Sequence, residues 1–262
     1  MPRRIIIHAG FHKTGTSSLQ ACLRENRVAM KKQVALRMRW HMKDLVAATR
    51  GYSTWRDPLT LMKVQHRFET LLNDLPGMPR RSLIISAEEL AGHLPGRGDL
   101  ADYSAAPVLL YAFWEIAKER FPEAEILLYL STRAADPWLR SAYWEHVKAS
   151  NMTMDFDAFH KAYHGAADLN AMVAEIASRV PAPVHHCALE ACQDRPLGPA
   201  QPLLDLCDLP MDVQVELIRP PRQNAGLGDD VLDALLQVNR TQDDPDLRKA
   251  AKAAILSEAR GA

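Results

Sequence analysis

The chain reads as an α/β protein, a three-layer α/β/α sandwich built on a mainly parallel sheet, in a single domain over residues 1–262. Three observations predict it. Short apolar or β-rich runs recur at residues 4–9, 82–86, 125–131 and 184–189. Most of them are followed by a segment with helical periodicity, the pattern of parallel strands joined by crossover helices. A 47% hydrophobic composition over 262 residues is also enough for a sizeable core under two helical layers.

The strands are justified by length and content. Ile5-Ile6-Ile7, Leu83-Ile84-Ile85 and Ile126-Leu127-Leu128 are too short for buried helices and carry the β-branched bias of central strands. Helical spacing of apolar residues marks 17–27, 59–75, 107–120, 137–150, 169–179 and 229–239. Pro107 and Pro137 suit a first helical turn, where the missing amide proton costs nothing. Residues 40–57 and 92–99 lack periodicity and are expected as loops over the sheet edge. No internal repeat or low-complexity tract interrupts this series. In such sheets ligands lie at the carboxyl ends of the strands, so the loops after the first three predicted strands are where chemistry is expected.

Composition narrows the partners. Lys+Arg and Asp+Glu stand at 32 each, so no global basic field favours a nucleic-acid polymer. No apolar run approaches the roughly 20 residues needed to cross a bilayer, and no transmembrane segment is expected. Met1-Pro-Arg-Arg leads into a strand without an apolar secretory segment, which makes a cytoplasmic protein the expectation. Cys22, Cys187, Cys192 and Cys207 lack paired ligand spacing. Reduced buried thiols are expected, and no metal site.

The first strand runs into Gly10-Phe11-His12-Lys13-Thr14-Gly15-Thr16-Ser17-Ser18 and then a helix start. Two glycines five residues apart, followed by hydroxyl residues, have the spacing of a P-loop, so the fold is expected to be P-loop NTPase-like. Gly10 and Gly15 allow backbone geometries that aim amide protons inward, and the helix N-terminus adds positive potential. Thr14, Thr16, Ser17 and Ser18 supply hydroxyls. Lys13 supplies a full charge from inside the loop, while Thr16 occupies the position where a nucleoside triphosphatase carries its lysine. After the third predicted strand, Arg133 and, about one helical turn into the next segment, Ser141 would hold a second phosphate through a guanidinium fork and a hydroxyl.

With both segments in view, the chain resembles sulfotransferases that use 3′-phosphoadenosine 5′-phosphosulfate, and is most similar to bacterial members that begin with a Gly-x-x-Lys-Thr-Gly-Thr loop. The resemblance implies that Phe11, His12, Lys13, Thr14, Gly15, Thr16, Ser17 and Ser18 hold the 5′-phosphosulfate, and that Arg133 and Ser141 hold the 3′-phosphate. It extends more loosely to Ser86-Ala87-Glu88, to Leu189-Glu190 and to Arg222-Gln223-Asn224, with Arg222 near the donor in a segment that could close over it. Leu189 stands where some relatives carry an aromatic against the nucleotide.

Sulfuryl transfer needs an in-line acceptor oxygen and a leaving phosphate whose growing charge is met, and positioning and electrostatics supply most of the catalysis. Lys13 would meet that charge, so no metal is required. The resemblance favours Glu88 as general base, with His12 as the alternative on its pKa. Trp138, Tyr143 and Trp144 are read as core residues at helical spacing. The acceptor, a small molecule or glycan with a hydroxyl or amine, would be enclosed by residues 40–56, 92–105 and 151–165. Two rival functions remain: a P-loop kinase or nucleoside triphosphatase, and a non-catalytic nucleotide-binding protein of the same fold.

Overall fold

The structure, a computed structural model, describes residues 1–78, 80–221 and 228–261. Five strands, β1 (Arg4–His8), β2 (Val34–Met38), β3 (Ser82–Ser86), β4 (Glu125–Thr132) and β5 (Val184–Ala188), form one sheet in the order β2-β3-β1-β4-β5. Every pairing is parallel. β1 is therefore central, and each neighbour on either side carries its carboxyl end to the same edge.

Side-chain alternation along the strands divides the core in two. Ile5, Ile7, Leu83, Ile85, Leu128 and Leu130 point to one face. There they meet α2 (Lys43–Trp55), α3 (Pro58–Asn73), α4 (Ala106–Arg120), α5 (Ala135–Ala149), α7 (Leu169–Arg179) and α11 (Asp229–Thr241). Ile6, Ile84, Leu127 and Tyr129 point to the other, against α1 (Thr16–Glu25), α9 (Gln201–Asp205) and α10 (Met211–Gln214). Strands buried on both faces explain the unbroken apolar runs, and the layers are those of an α/β/α sandwich. The remaining helices are α6 (Phe156–Tyr163), α8 (Leu189–Cys192) and α12 (Pro245–Gly261). Among the described residues no helix is long and apolar enough to cross a membrane.

The predicted strands all form, with ends moved by at most a residue, and each predicted helix falls within two residues of its place. Two expectations are corrected. Residues 40–57 are not a loop: Lys43–Trp55 is a helix whose buried residues Leu45, Val46, Ala48, Thr49, Tyr52 and Ser53 follow helical spacing, but with so many small and polar members that the pattern has little contrast. Residues 151–165 do not line the large cavity described below; α6 forms there and sets Phe159 into the core against Tyr143 and His146. β2 is a further strand that the sequence does not mark, because Arg37 cuts its apolar run to three residues.

The carboxyl end of α5 carries a lysine lock. Lys252 of α12 is 7% exposed and donates to the carbonyls of Val147 (2.6 Å) and Ser150 (2.7 Å) and to Asn239 Oδ1 (2.8 Å). An ammonium so placed satisfies orphan helix-end carbonyls and favours the negative end of the helix dipole. It fastens α12 and α11 to α5.

Candidate active site

The loop after β1 is zipped to β4. The Phe11 amide donates to the Ser131 carbonyl at 3.0 Å, and the Ser131 amide to the Gly10 carbonyl at 2.5 Å. Its two glycines are positions of close approach. A Cβ on Gly10 (φ +100) would meet the Glu88 carbonyl oxygen at 3.1 Å, and one on Gly15 (φ +88) would meet Leu189 Cδ1 at 2.7 Å. The missing side chains thus let the segment after β3 close on one side of the loop and the segment after β5 on the other.

These segments border a cavity of about 1590 Å³ along the carboxyl edge of the sheet. Every strand sends a following segment to it: Lys13 after β1, Arg39 after β2, Glu88 after β3, Arg133 after β4 and Leu189 after β5. α5 runs along the cavity, presenting Pro137, Ser141 and Glu145 in one row and Arg140, Trp144 and Lys148 in the next, each spaced by one turn. Arg219, Pro220 and Pro221 close a rim, held to α1 by Asn26, which exchanges hydrogen bonds of 2.8 Å with both backbone groups of Ile218. Ala259 and Arg260 of α12 also reach it.

Of the residues singled out in the sequence, His12, Lys13, Gly15, Thr16, Ser17, Ser18, Glu88, Arg133 and Ser141 line this one cavity. Phe11 and Thr14 do not. Phe11 is fully buried against the Tyr103 ring, and Thr14, also fully buried, donates its hydroxyl to the Phe11 carbonyl at 2.6 Å. The Thr14 hydroxyl, expected to face the phosphate, is thus turned away from the cavity, and both side chains brace the loop from behind. Arg222 lies outside the described residues. Trp138 and Tyr143 are core residues as expected, but Trp144 is half-buried and lines the cavity.

Lys13 Nζ sits 3.2 Å from Glu145 Oε2, and Lys148 Nζ contacts the same oxygen at 2.8 Å. Burial alone would raise the Glu145 pKa, but the hydrogen bond from Lys148 and the charge of Lys13 hold it below the usual carboxylate range. Arg133 donates Nη1–H to the Lys13 carbonyl at 3.1 Å, which ties the segment after β4 to the loop after β1. Its Nε is buried with no partner among the described residues. Thr16, Ser17 and Ser18 begin α1, so their amides have no acceptor within the helix.

Glu88 and Glu89 behave differently. Burial, then the neighbouring Glu89 charge, raises the Glu88 pKa against the Thr16 hydroxyl, Arg39 and Lys13. Glu89 is 2% exposed and accepts from Arg50 (2.6 Å) and Arg39 (2.9 Å) on one oxygen, while Oε2 has no partner. Of the two neighbouring carboxylates it is Glu89 that takes the arginine pairing. His12 Nδ1 lies 3.1 Å from the Tyr103 hydroxyl, and its carbonyl accepts from Trp138 Nε1 at 2.9 Å. Burial, then the charges of His93, Arg50, Lys13 and Arg97, pushes its pKa well down, so it is neutral. His8 faces the sheet instead: its Nδ1 is 2.8 Å from Ser86 Oγ, and burial lowers its pKa to about 3.

His12, Glu88 and Glu89 bring potential ligand atoms within 4.8 Å of one another, and form the group among the described residues that could hold a metal ion. The guanidiniums already on Glu89 oppose a divalent cation there. Cys22, Cys192 and Cys207 are buried free thiols, and Cys187 is half-buried and free.

Charge is strongly segregated. In a chain of zero net charge, the cavity gathers Lys13, Arg39, Arg50, Arg97, Arg133, Arg140, Lys148, Arg219 and Arg260 against Glu88, Glu89, Asp136 and Glu145. Cations exceed carboxylates by roughly two to one, which makes the edge of the sheet an anion-focusing surface.

No family model matches the chain, and no curated protein matches it. Among solved structures, it is similar to the crystal structure of a sulfotransferase from Alicyclobacillus acidocaldarius, at 16% identity over 99% of each chain with a TM-score of 0.46. Likeness at that level transfers no residue role.

Proposed function

We propose that the chain is a sulfotransferase, moving a sulfuryl group from 3′-phosphoadenosine 5′-phosphosulfate to a hydroxyl or amine. The observation that carries this reading is the presence in one cavity of two distinct anion-binding sets joined back to back, Lys13 with Thr16–Ser18 and Arg133 with Ser141. A donor with phosphates at both the 5′ and 3′ positions of one ribose needs two such sets. The orphaned Nε of Arg133 fits a missing anionic partner.

The chemistry follows from the groups that line the cavity. The amides of Thr16, Ser17 and Ser18 and their hydroxyls would bind the 5′-phosphate oxygens at the positive end of α1. Lys13, which rests on Glu145, would exchange that carboxylate for the bridging oxygen between sulfur and phosphate. As the sulfur–oxygen bond breaks, the electron pair stays on the phosphate, and the ammonium meets the growing charge. Glu88 would take the acceptor's proton as the new oxygen–sulfur or nitrogen–sulfur bond forms. Its raised pKa makes it a stronger base than an ordinary surface carboxylate. His12 is the second candidate for the proton, with one ring nitrogen already engaged by Tyr103. Glu89 would hold Arg39 and Arg50 in place beside them.

The test is Lys13→Ala assayed for release of adenosine 3′,5′-bisphosphate and for transfer of labelled sulfate. The variant should fold with an unchanged circular-dichroism spectrum and lose transfer. Turnover equal to that of the parent protein would overturn the mechanism.

A further inference from the structure

Placing the donor at β1, β4 and β5 leaves a second basic surface unused. On the other side of the loop, toward β2 and β3, the cavity is lined by Arg39, Arg50, His93 and Arg97. Among the described residues one carboxylate pairs directly with this group: Glu89, through a single oxygen shared by Arg39 and Arg50. Among the described residues Arg97 makes no ion pair; its Nη1 donates to the Ala149 carbonyl at 3.2 Å, and its Nε is buried without a partner. Arg50 Nε is likewise buried and unpartnered.

His93 lies between them electrostatically. Burial, then the charges of Arg50 and Arg97, lowers its pKa to about 4, so it is neutral at physiological pH. Its Nδ1 lies 3.0 Å from the Leu94 amide and accepts its proton, which assigns the ring hydrogen to Nε2. The surface therefore offers hydrogen-bond donors with a surplus of positive charge and too few protein acceptors. Gathering cations in a partly desolvated cleft is costly unless an anion answers them.

We propose that this β2–β3 end of the cleft is an anion subsite, built to hold a carboxylate, sulfate or phosphate that the acceptor carries besides its reacting hydroxyl or amine. Arg97 and Arg50 grip the oxyanion, His93 adds a neutral donor, and Glu89 fixes the Arg50 and Arg39 heads. The acceptor class is thus the anionic one, such as acidic sugars, hydroxy acids or already sulfated molecules, rather than neutral phenols or lipids. This proposal rests on the donor occupying the β1–β4–β5 end of the cleft.

Two measurements test it. Crystals grown with adenosine 3′,5′-bisphosphate and soaked in selenate should show anomalous density between Arg50 and Arg97, and Arg97→Gln crystals should lose it. No peak there, or a peak that persists in Arg97→Gln as an adventitious ion only, overturns the subsite. If the bisphosphate itself fails to bind, the donor reading falls, and the selenate position, Arg97 or Lys13 and Arg133, still decides the subsite separately.

The second measurement compares transfer rates within matched pairs. These are 4-hydroxyphenylacetate and its methyl ester, glucosamine 6-sulfate and glucosamine, and glycerol 3-phosphate and glycerol. The pairs also distinguish carboxylate, sulfate and phosphate as the group recognised. In a pair that turns over, the anionic member should lead by at least tenfold in kcat/KM. Arg97→Gln should reduce that lead below twofold, with bisphosphate affinity unchanged. Arg97 is the cleaner position because Arg50 also neutralises Glu89. Equal rates within the pairs, or a lead untouched by Arg97→Gln, overturn the proposal.

Discussion

Lys13 carries its charge three positions after Gly10, in the left-handed region at φ +65, and rests its ammonium on Glu145. Removing it as Lys13→Ala should lower kcat by roughly 10²–10³-fold, the usual loss of a donor aimed at developing charge, measured as sulfate transfer under saturating substrates. Glu88 makes a separate claim. Its folded pKa is raised, so the folded state holds the proton more tightly than the unfolded one, and ionisation costs stability as pH climbs through the raised value. Glu88→Gln should therefore leave the melting temperature at pH 7 unchanged or higher while cutting turnover by about 10²-fold or more and removing the acidic limb of the pH–rate profile. A fall in both stability and activity would make Glu88 structural. Sequence spacing exposed Lys13, Arg133 and Ser141 because each belongs to a local strand-to-helix pattern. It could not separate Ser17 from Thr14, since facing the cleft or the core depends on how the loop is pinned to β4. The pairing of Glu89 is not readable for the same reason: its partners Arg39 and Arg50 come from elements far away in the chain.

The loop and helix ends set the site's precision. Gly15→Ala would force a side chain into φ +88 and against Leu189 Cδ1 at 2.7 Å. The left-handed backbone alone should cost about 1–2 kcal/mol in denaturant unfolding. Leu189→Ala in the same chain should relieve the clash but not that backbone cost. α12 gives a second case. Lys252→Met would strand the Ser150 carbonyl and Asn239 Oδ1, leaving the Val147 carbonyl its bond from Asn239 Nδ2, and should lower stability by about 2 kcal/mol, read by urea titration. Elements with strong apolar contrast, such as β1 and α7, were readable directly. α2 was not, since its buried face is built partly from Ala48, Thr49 and Ser53, and it is this helix that brings Arg50 to the cleft.

Across the molecule, a chain with 32 basic and 32 acidic residues concentrates its cations along one edge of a parallel sheet. The sheet order explains how: with β1 in the middle, β4 and β5 present Arg133 and Leu189 on one side, and β2 and β3 present Arg39 and Glu88 on the other. Local charge of this kind draws small anions into a cleft without making the whole surface sticky for polyanions. Nucleotide affinity should accordingly weaken as salt rises. The central claim is that this edge holds a nucleotide bearing 3′ and 5′ phosphates without a metal, unlike the magnesium-dependent triphosphate site of a kinase. Isothermal titration with adenosine 3′,5′-bisphosphate in the presence of a chelator tests it most directly, with ATP and magnesium as the comparison. Saturable binding of the bisphosphate, weakened at least tenfold in Arg133→Ala and tighter than that of ATP with magnesium, is the predicted result. Tighter binding of ATP with magnesium, or bisphosphate binding indifferent to Arg133→Ala, would contradict it.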